Sequence, residues 1–168
     1  MEKPVSRFLL WDVWGTLVSG GSVSLQAFRD AFWVVSDLVD GVSTEDAGDV
    51  LDAAASVDVA ISTILQRAGV DSINLSSYAK RVIRRYMALM GERREQLRRD
   101  GSVQPGVYEL LAEIDNTAAL NTALTGDAVQ NAVLKFETFR LSNFFDLEIG
   151  AYGTDRRPYI ERLDAALD

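Results

Sequence analysis

The chain contains no cysteine and no histidine, and only 3 of its 168 residues are proline. Without cysteine there are no disulfides, no thiol nucleophile and no thiolate zinc site. Without histidine there is no Ser-His-Asp triad and no imidazole base. Catalysis would fall to carboxylates, hydroxyls, amines, backbone groups or an oxygen-bound metal, for which Mg²⁺ is the natural ion. Positive charge is also scarce: 17 Lys and Arg stand against 25 Asp and Glu, a net charge of −8. That balance disfavours nucleic acid or an anionic membrane as the main partner. It still allows a small anionic substrate, because a local site can oppose the global sign. The apolar run near the N-terminus, residues 8–11, is too short for a signal peptide or a membrane span, so the expected location is cytoplasmic.

Hydrophobic residues make up 48% and charged residues 25%, the balance of a soluble globular protein of one domain, or of one domain carrying an insertion. Residues 7–14, RFLLWDVW, read as a buried strand interrupted by Asp12 and ended by Gly15. From Ser24 the period becomes helical: Leu25, Phe28, Phe32, Val35 and Val39 step by three and four up to Gly41. A second helix is predicted from about Asp46 to Ala68, and a third, capped by Ser76 or Ser77, as far as Arg99. After Pro105-Gly106 come a short helix over 107–114, a strand over 118–124 and a helix over about 128–140. A further strand over 144–149 and a last helix over 158–167 complete the prediction. That alternation predicts an α/β fold with a parallel sheet.

Ligand sites in such sheets lie beyond the carboxyl ends of the strands. Three polar clusters fall there: Asp12 to Leu17, Thr125-Gly126-Asp127, and Thr154 to Pro158. Together they offer a carboxylate, a hydroxyl and a cation from separate loops. That set suits attack on phosphorus or on an electrophilic carbon, with the cation offsetting developing charge.

FLLWDVWGTL, then PGVYELL, NTALTGD and FFDLEIGAYGTDRRP, resembles the haloacid dehalogenase (HAD) superfamily over nearly the whole chain. The resemblance implies a Rossmann-like core, residues 1–19 and 103–168, with a helical cap over 20–102. It implies Mg²⁺-dependent hydrolysis of a small phosphorylated metabolite. Asp12 would be the nucleophile that forms an aspartyl-phosphate, Thr125 would bind the transferred group, and Arg157 would stand where the family keeps a Lys-Pro pair. Trp14, Gly15, Thr16 and Gly126 would contact the substrate. Asp12 and the Trp14 carbonyl would hold the metal, with Asp127 or Asp155 as candidates for a further ligand.

Two departures from the family pattern bear on activity. Trp14 occupies the place of the second aspartate of Asp-x-Asp, and an indole can neither give nor take a proton there. HAD dehalogenases carry an aromatic at this place, which keeps carbon–halogen hydrolysis as one alternative. The sequence also ends at Asp168, before the family's Gly-Asp-x-x-x-Asp element. A truncated chain, a degenerate member acting as a binding module, and a partner subunit covering an open edge at strand one all fit; the last predicts a homodimer. Trp14 is read as packing into the vacated acid position. Lys80, Arg81, Arg84 and Arg85 are read as a solvated helix face, and Lys135 as a surface lysine.

Overall fold

The computed structural model describes residues 7–20, 22–117 and 119–154. The apolar run near the N-terminus forms β1 (Arg7–Trp11), which lies parallel to β4 (Ala119–Thr125), with Arg7 opposite Ala119 and Trp11 opposite Ala123. A short third strand, β5 (Ala151–Tyr152), pairs in parallel with the end of β4, so the order is β1-β4-β5. The central strand buries Asn121 and Thr122 as well as Ala123. Buried polar groups need partners, and both have them. Asn121 accepts the Trp11 indole N–H at 2.9 Å and donates to the Phe144 carbonyl at 3.1 Å, while Thr122 donates to the Asp146 carbonyl at 2.7 Å.

These bonds correct one expectation. Residues 144–149 do not form a strand: a 3₁₀ turn spans Ser142–Phe144, and the sheet is not joined until Ala151. The carbonyls of Phe144 and Asp146 are taken by side chains of β4, and the Asp146 carboxylate accepts the Glu148 amide at 3.0 Å. Side-chain bonds of this kind compete with a strand ladder.

Between β1 and β4 the chain runs through helices. The ribbon of β2 (Val18–Ser19) and β3 (Ser102–Val103) joins the two ends of this segment, with the Ser19 and Ser102 hydroxyls 2.9 Å apart. Helix α1 (Val23–Ala31) tightens into a 3₁₀ turn over Phe32–Val35. The expected second helix is two, α2 (Ala47–Ala53) and α3 (Val57–Arg67), because Ala54 and Ser56 are extended. The third starts earlier than expected: α4 (Ser72–Glu92) is capped by Asp71, whose carboxylate accepts the Ile73 and Asn74 amides at 2.9 Å each. Those amide bonds, led by Asn74, lower the Asp71 pKa. It also stops earlier, at Arg93, which pairs with Asp30 before α5 (Arg94–Asp100) begins. Helix α6 (Val107–Asp115) packs on β4, and α7 (Val129–Thr138) contacts α4 and α5. One buried cluster links Val13 and Leu17 to Phe28, Ile61, Tyr86, Leu111 and Phe136. The predicted last helix lies outside the described residues. Among the described residues no helix is long and apolar enough to cross a membrane.

The break between α2 and α3 has a partner. The Val57 amide donates to the Gly126 carbonyl at 2.7 Å. A Cβ on Gly126 would sit 2.9 Å from the Ala55 carbonyl oxygen, and one on Gly153 would fall 1.8 Å from the Gly126 oxygen. Gly153→Ala is expected to destabilise the fold by about 1–3 kcal/mol through overpacking against backbone. Gly91→Ala, in open space on α4, should be neutral or stabilising by about 0.5–1 kcal/mol. Chemical unfolding of both variants checks the contrast.

Candidate functional site

The turn after β1 is held by its own backbone. The Val13 carbonyl accepts the Leu17 and Val18 amides at 3.1 Å each, and the Gly15 amide donates to the Val18 carbonyl at 2.8 Å. Gly15 has φ +81°, a conformation that favours glycine. Gln104 donates to its carbonyl at 3.1 Å. Asp12 is exposed at the head of this turn, and its Oδ2 accepts the Thr16 hydroxyl at 3.1 Å. Among the described residues nothing donates to Oδ1 or to the Trp14 carbonyl.

The second cluster sits at the end of β4. Thr125 is buried, and its Oγ1 accepts the Asp127 amide at 3.2 Å. The Asp127 carboxylate accepts the Ala128 amide at 2.7 Å, the Asn131 side-chain amide at 3.1 Å and the Lys135 ammonium at 2.5 Å. The Lys135 and Asp127 side chains are only 3% and 11% exposed, so the pair lies in the protein wall. The ammonium also stands 4.1 Å from the centre of the Trp14 ring, a cation–π contact. The indole rests against Gly20, where a Cβ would come within 2.2 Å of it.

Lys135 is therefore not the surface lysine expected from the sequence. A signal was present: Asp127, Asn131 and Lys135 are spaced by four, which places them on one face at the start of α7. Asp127, a candidate metal ligand by resemblance, instead has both carboxylate oxygens bonded, one of them to an ammonium that a divalent cation would have to displace. Asp155 and Arg157 lie outside the described residues. The basic residues of α4 do not reach the site: Lys80, Arg81 and Arg84 are exposed, and Arg85 pairs with Glu92 at 2.8 Å.

Asp12, Trp14, Gly126, Asp127 and Lys135 line a cleft of about 280 Å³ together with Ser24, Asp52, Ser56 and Tyr86 from the helical segment. Gly15, Thr16 and Thr125 adjoin these lining residues in sequence but do not themselves line the cleft. That volume, just below the ~300–1,000 Å³ of most ligand pockets, suits a small metabolite. Burial first, and then the Asp127 charge, push the Tyr86 hydroxyl well above its usual pKa; the neighbouring Asn131 and Ser24 side chains act the other way. Sequence reading missed Ser24, Asp52 and Tyr86 as cleft residues, because only the packing of α1, α2 and α4 brings them into one cleft with Asp12.

Among the described residues no three acidic side chains converge on a metal position. Asp12 Oδ2, which takes only the Thr16 hydroxyl, and the Trp14 carbonyl, which takes no donor among the described residues, are nevertheless available to a cation. Mg²⁺ keeps several waters and is commonly completed by substrate phosphate, so one carboxylate and one carbonyl form an adequate donor set.

No family model matches the chain, and no curated protein matches it. Solved structures do. CbbY from Rhodobacter sphaeroides, in complex with phosphate, is 20% identical with a TM-score of 0.66, over 96% of this chain and 71% of that one. A family IA, variant 3 HAD hydrolase from Entamoeba histolytica is 15% identical with a TM-score of 0.62, over 96% of this chain and 70% of that one. A predicted phosphoglycolate phosphatase from Haemophilus somnus is 14% identical with a TM-score of 0.59, over 90% of this chain and 64% of that one. CbbY has also been crystallised with xylulose-(1,5)bisphosphate. At these identities the likeness is one of fold, and the fold is that of the HAD hydrolases.

Two outcomes follow from the buried pair. Lys135→Met leaves Asp127 charged and unpaired, and is expected to cost about 3–5 kcal/mol; adding Asp127→Leu should recover most of that loss. A denaturant double-mutant cycle measures both. Above pH ~10 an unfolded chain ionises its tyrosines, whereas Tyr86 resists and burial lifts Tyr152 to about 12. Stability should therefore fall from about pH 10 upward, because the unfolded state releases its protons first. Tyr86→Phe should shrink that fall in unfolding measured across the alkaline range.

Proposed function

We propose that the chain is a HAD-type hydrolase of a small phosphorylated ligand, with Asp12 as nucleophile and residues 20–102 as the cap over the cleft. The observation that carries this reading is the Asp12 carboxylate, which follows β1 and lines the cleft while Thr16 holds its Oδ2. Oδ1 attacks phosphorus, the bond to the leaving oxygen breaks, and an aspartyl-phosphate forms. Water then cleaves the acyl phosphate and restores the carboxylate. When bound at Asp12 and the Trp14 carbonyl, Mg²⁺ supplies positive charge against the phosphoryl oxygens. Backbone amides of the 13–16 turn other than that of Gly15, which Val18 holds, and the Thr125 hydroxyl are the donors proposed for those oxygens, and Arg157 is the proposed further cation.

The chemistry has a built-in bias. Trp14 cannot protonate the leaving oxygen, so leaving groups that are stable as anions depart fastest. A second reading, a ligand-binding protein without turnover, draws on the same residue, because its indole is committed to Lys135 and Gly20.

A series of aryl phosphates with Mg²⁺ tests the proposal. Turnover should rise steeply as the leaving phenol becomes more acidic, and Asp12→Asn should abolish it. Trp14→Asp should flatten the series and raise alkyl phosphate turnover by about 10²-fold or more, the usual scale of general acid catalysis. No turnover of any ester by folded protein would favour the binding reading.

A further inference from the structure

The lining of the cleft brings together two hydroxyls that the reaction proposed above does not use. Ser24, in the first turn of α1, is 6% exposed and lines the cleft, yet its Oγ has no hydrogen-bond partner. Two other buried side-chain atoms share that condition, on Arg93 and Ser142, and neither residue lines this cleft. Buried hydroxyls are normally satisfied, and one left open at a cleft marks a place that a ligand or water completes. Tyr86, from α4, lines the same cleft, and its hydroxyl neighbours the Ser24 and Asn131 side chains. Two hydroxyls from different helices thus meet at one position.

The surrounding charge decides what they take. Asp12, Asp52 and Asp127 line the cleft against one cation, Lys135, and that cation is spent on Asp127. No other basic residue among those described lines it. A second anionic group would enter against uncompensated carboxylates, whereas a neutral hydroxyl can both give and accept hydrogen bonds there.

We propose that Ser24 and Tyr86 form a subsite for a neutral, hydroxyl-bearing part of the ligand. The subsite disfavours a second phosphate and leaves the first to Asp12. The position of that first phosphate rests on the reading of Asp12 given above; the hydroxyl subsite stands on its own geometry.

Calorimetric titration of the whole chain with four probes tests it: inositol monophosphate, cyclohexyl phosphate (the same ring without hydroxyls), an inositol bisphosphate, and free inositol. The monophosphate should bind roughly tenfold tighter than cyclohexyl phosphate, the scale of one or two well-made hydrogen bonds. The bisphosphate should bind no tighter than the monophosphate. Ser24→Ala and Tyr86→Phe should each remove most of the preference while leaving cyclohexyl phosphate affinity unchanged, with the fold checked by circular dichroism. A variant that weakens both monoesters equally, a preference that survives both substitutions, or a tighter bisphosphate would overturn the subsite. If no phosphate ester binds but free inositol does, and Ser24→Ala weakens it, the subsite holds and the phosphate reading fails. If nothing binds, both fail.

Discussion

A lysine ammonium held against a carboxylate inside the protein wall sets the shape of this site. Neither ion tolerates burial alone, since an isolated buried charge costs several kcal/mol. The pair therefore constrains everything it touches. Asp127 is turned to receive Lys135, and its other oxygen fastens the start of α7 through Ala128 and Asn131. Trp14 lies across the ammonium and against Gly20, which fixes the turn that carries Asp12. Gly126, between Thr125 and Asp127, then meets the break between α2 and α3, so the helices close over the same point.

Much of this was legible in the residues. The run RFLLW, the strand ending Leu124-Thr125 and the three- and four-residue steps of the helices are local signals; both strands form within a few residues of expectation, while each long helix of the 24–100 segment is shortened or split. Asp12 stood out because a carboxylate interrupts an apolar strand just before Gly-Thr-Leu. The failures share a cause, which is tertiary partners overriding local pattern. Residues 144–149 have strand composition, but Asn121 and Thr122 claim their carbonyls. The helix expected over 46–68 breaks where Gly126 takes the Val57 amide. Lys135 looks like any helical lysine until Asp127 is seen two turns earlier.

The pair also bears on the chemistry proposed for the cleft. The indole at position 14 covers the Lys135 ammonium with its face. The cleft thereby has an aromatic wall beside a neutralised ion pair, and position 14 offers no proton carrier. In the proposed reaction the Asp12 carboxylate would act without an acid beside it, so its rate would depend on the leaving group. The hydroxyls of Ser24 and Tyr86 line the same cleft, where the organic part of a ligand would reach.

The central claim is that Asp12 takes the phosphoryl group. Acid quenching of the protein during reaction with an activated aryl phosphate and Mg²⁺, followed by peptide mass spectrometry, tests it most directly. The account predicts the mass of one phosphoryl group on the peptide containing Asp12, sensitive to hydroxylamine and absent in Asp12→Asn. Turnover with no such adduct at the earliest quench times, or an adduct on another residue, would contradict it.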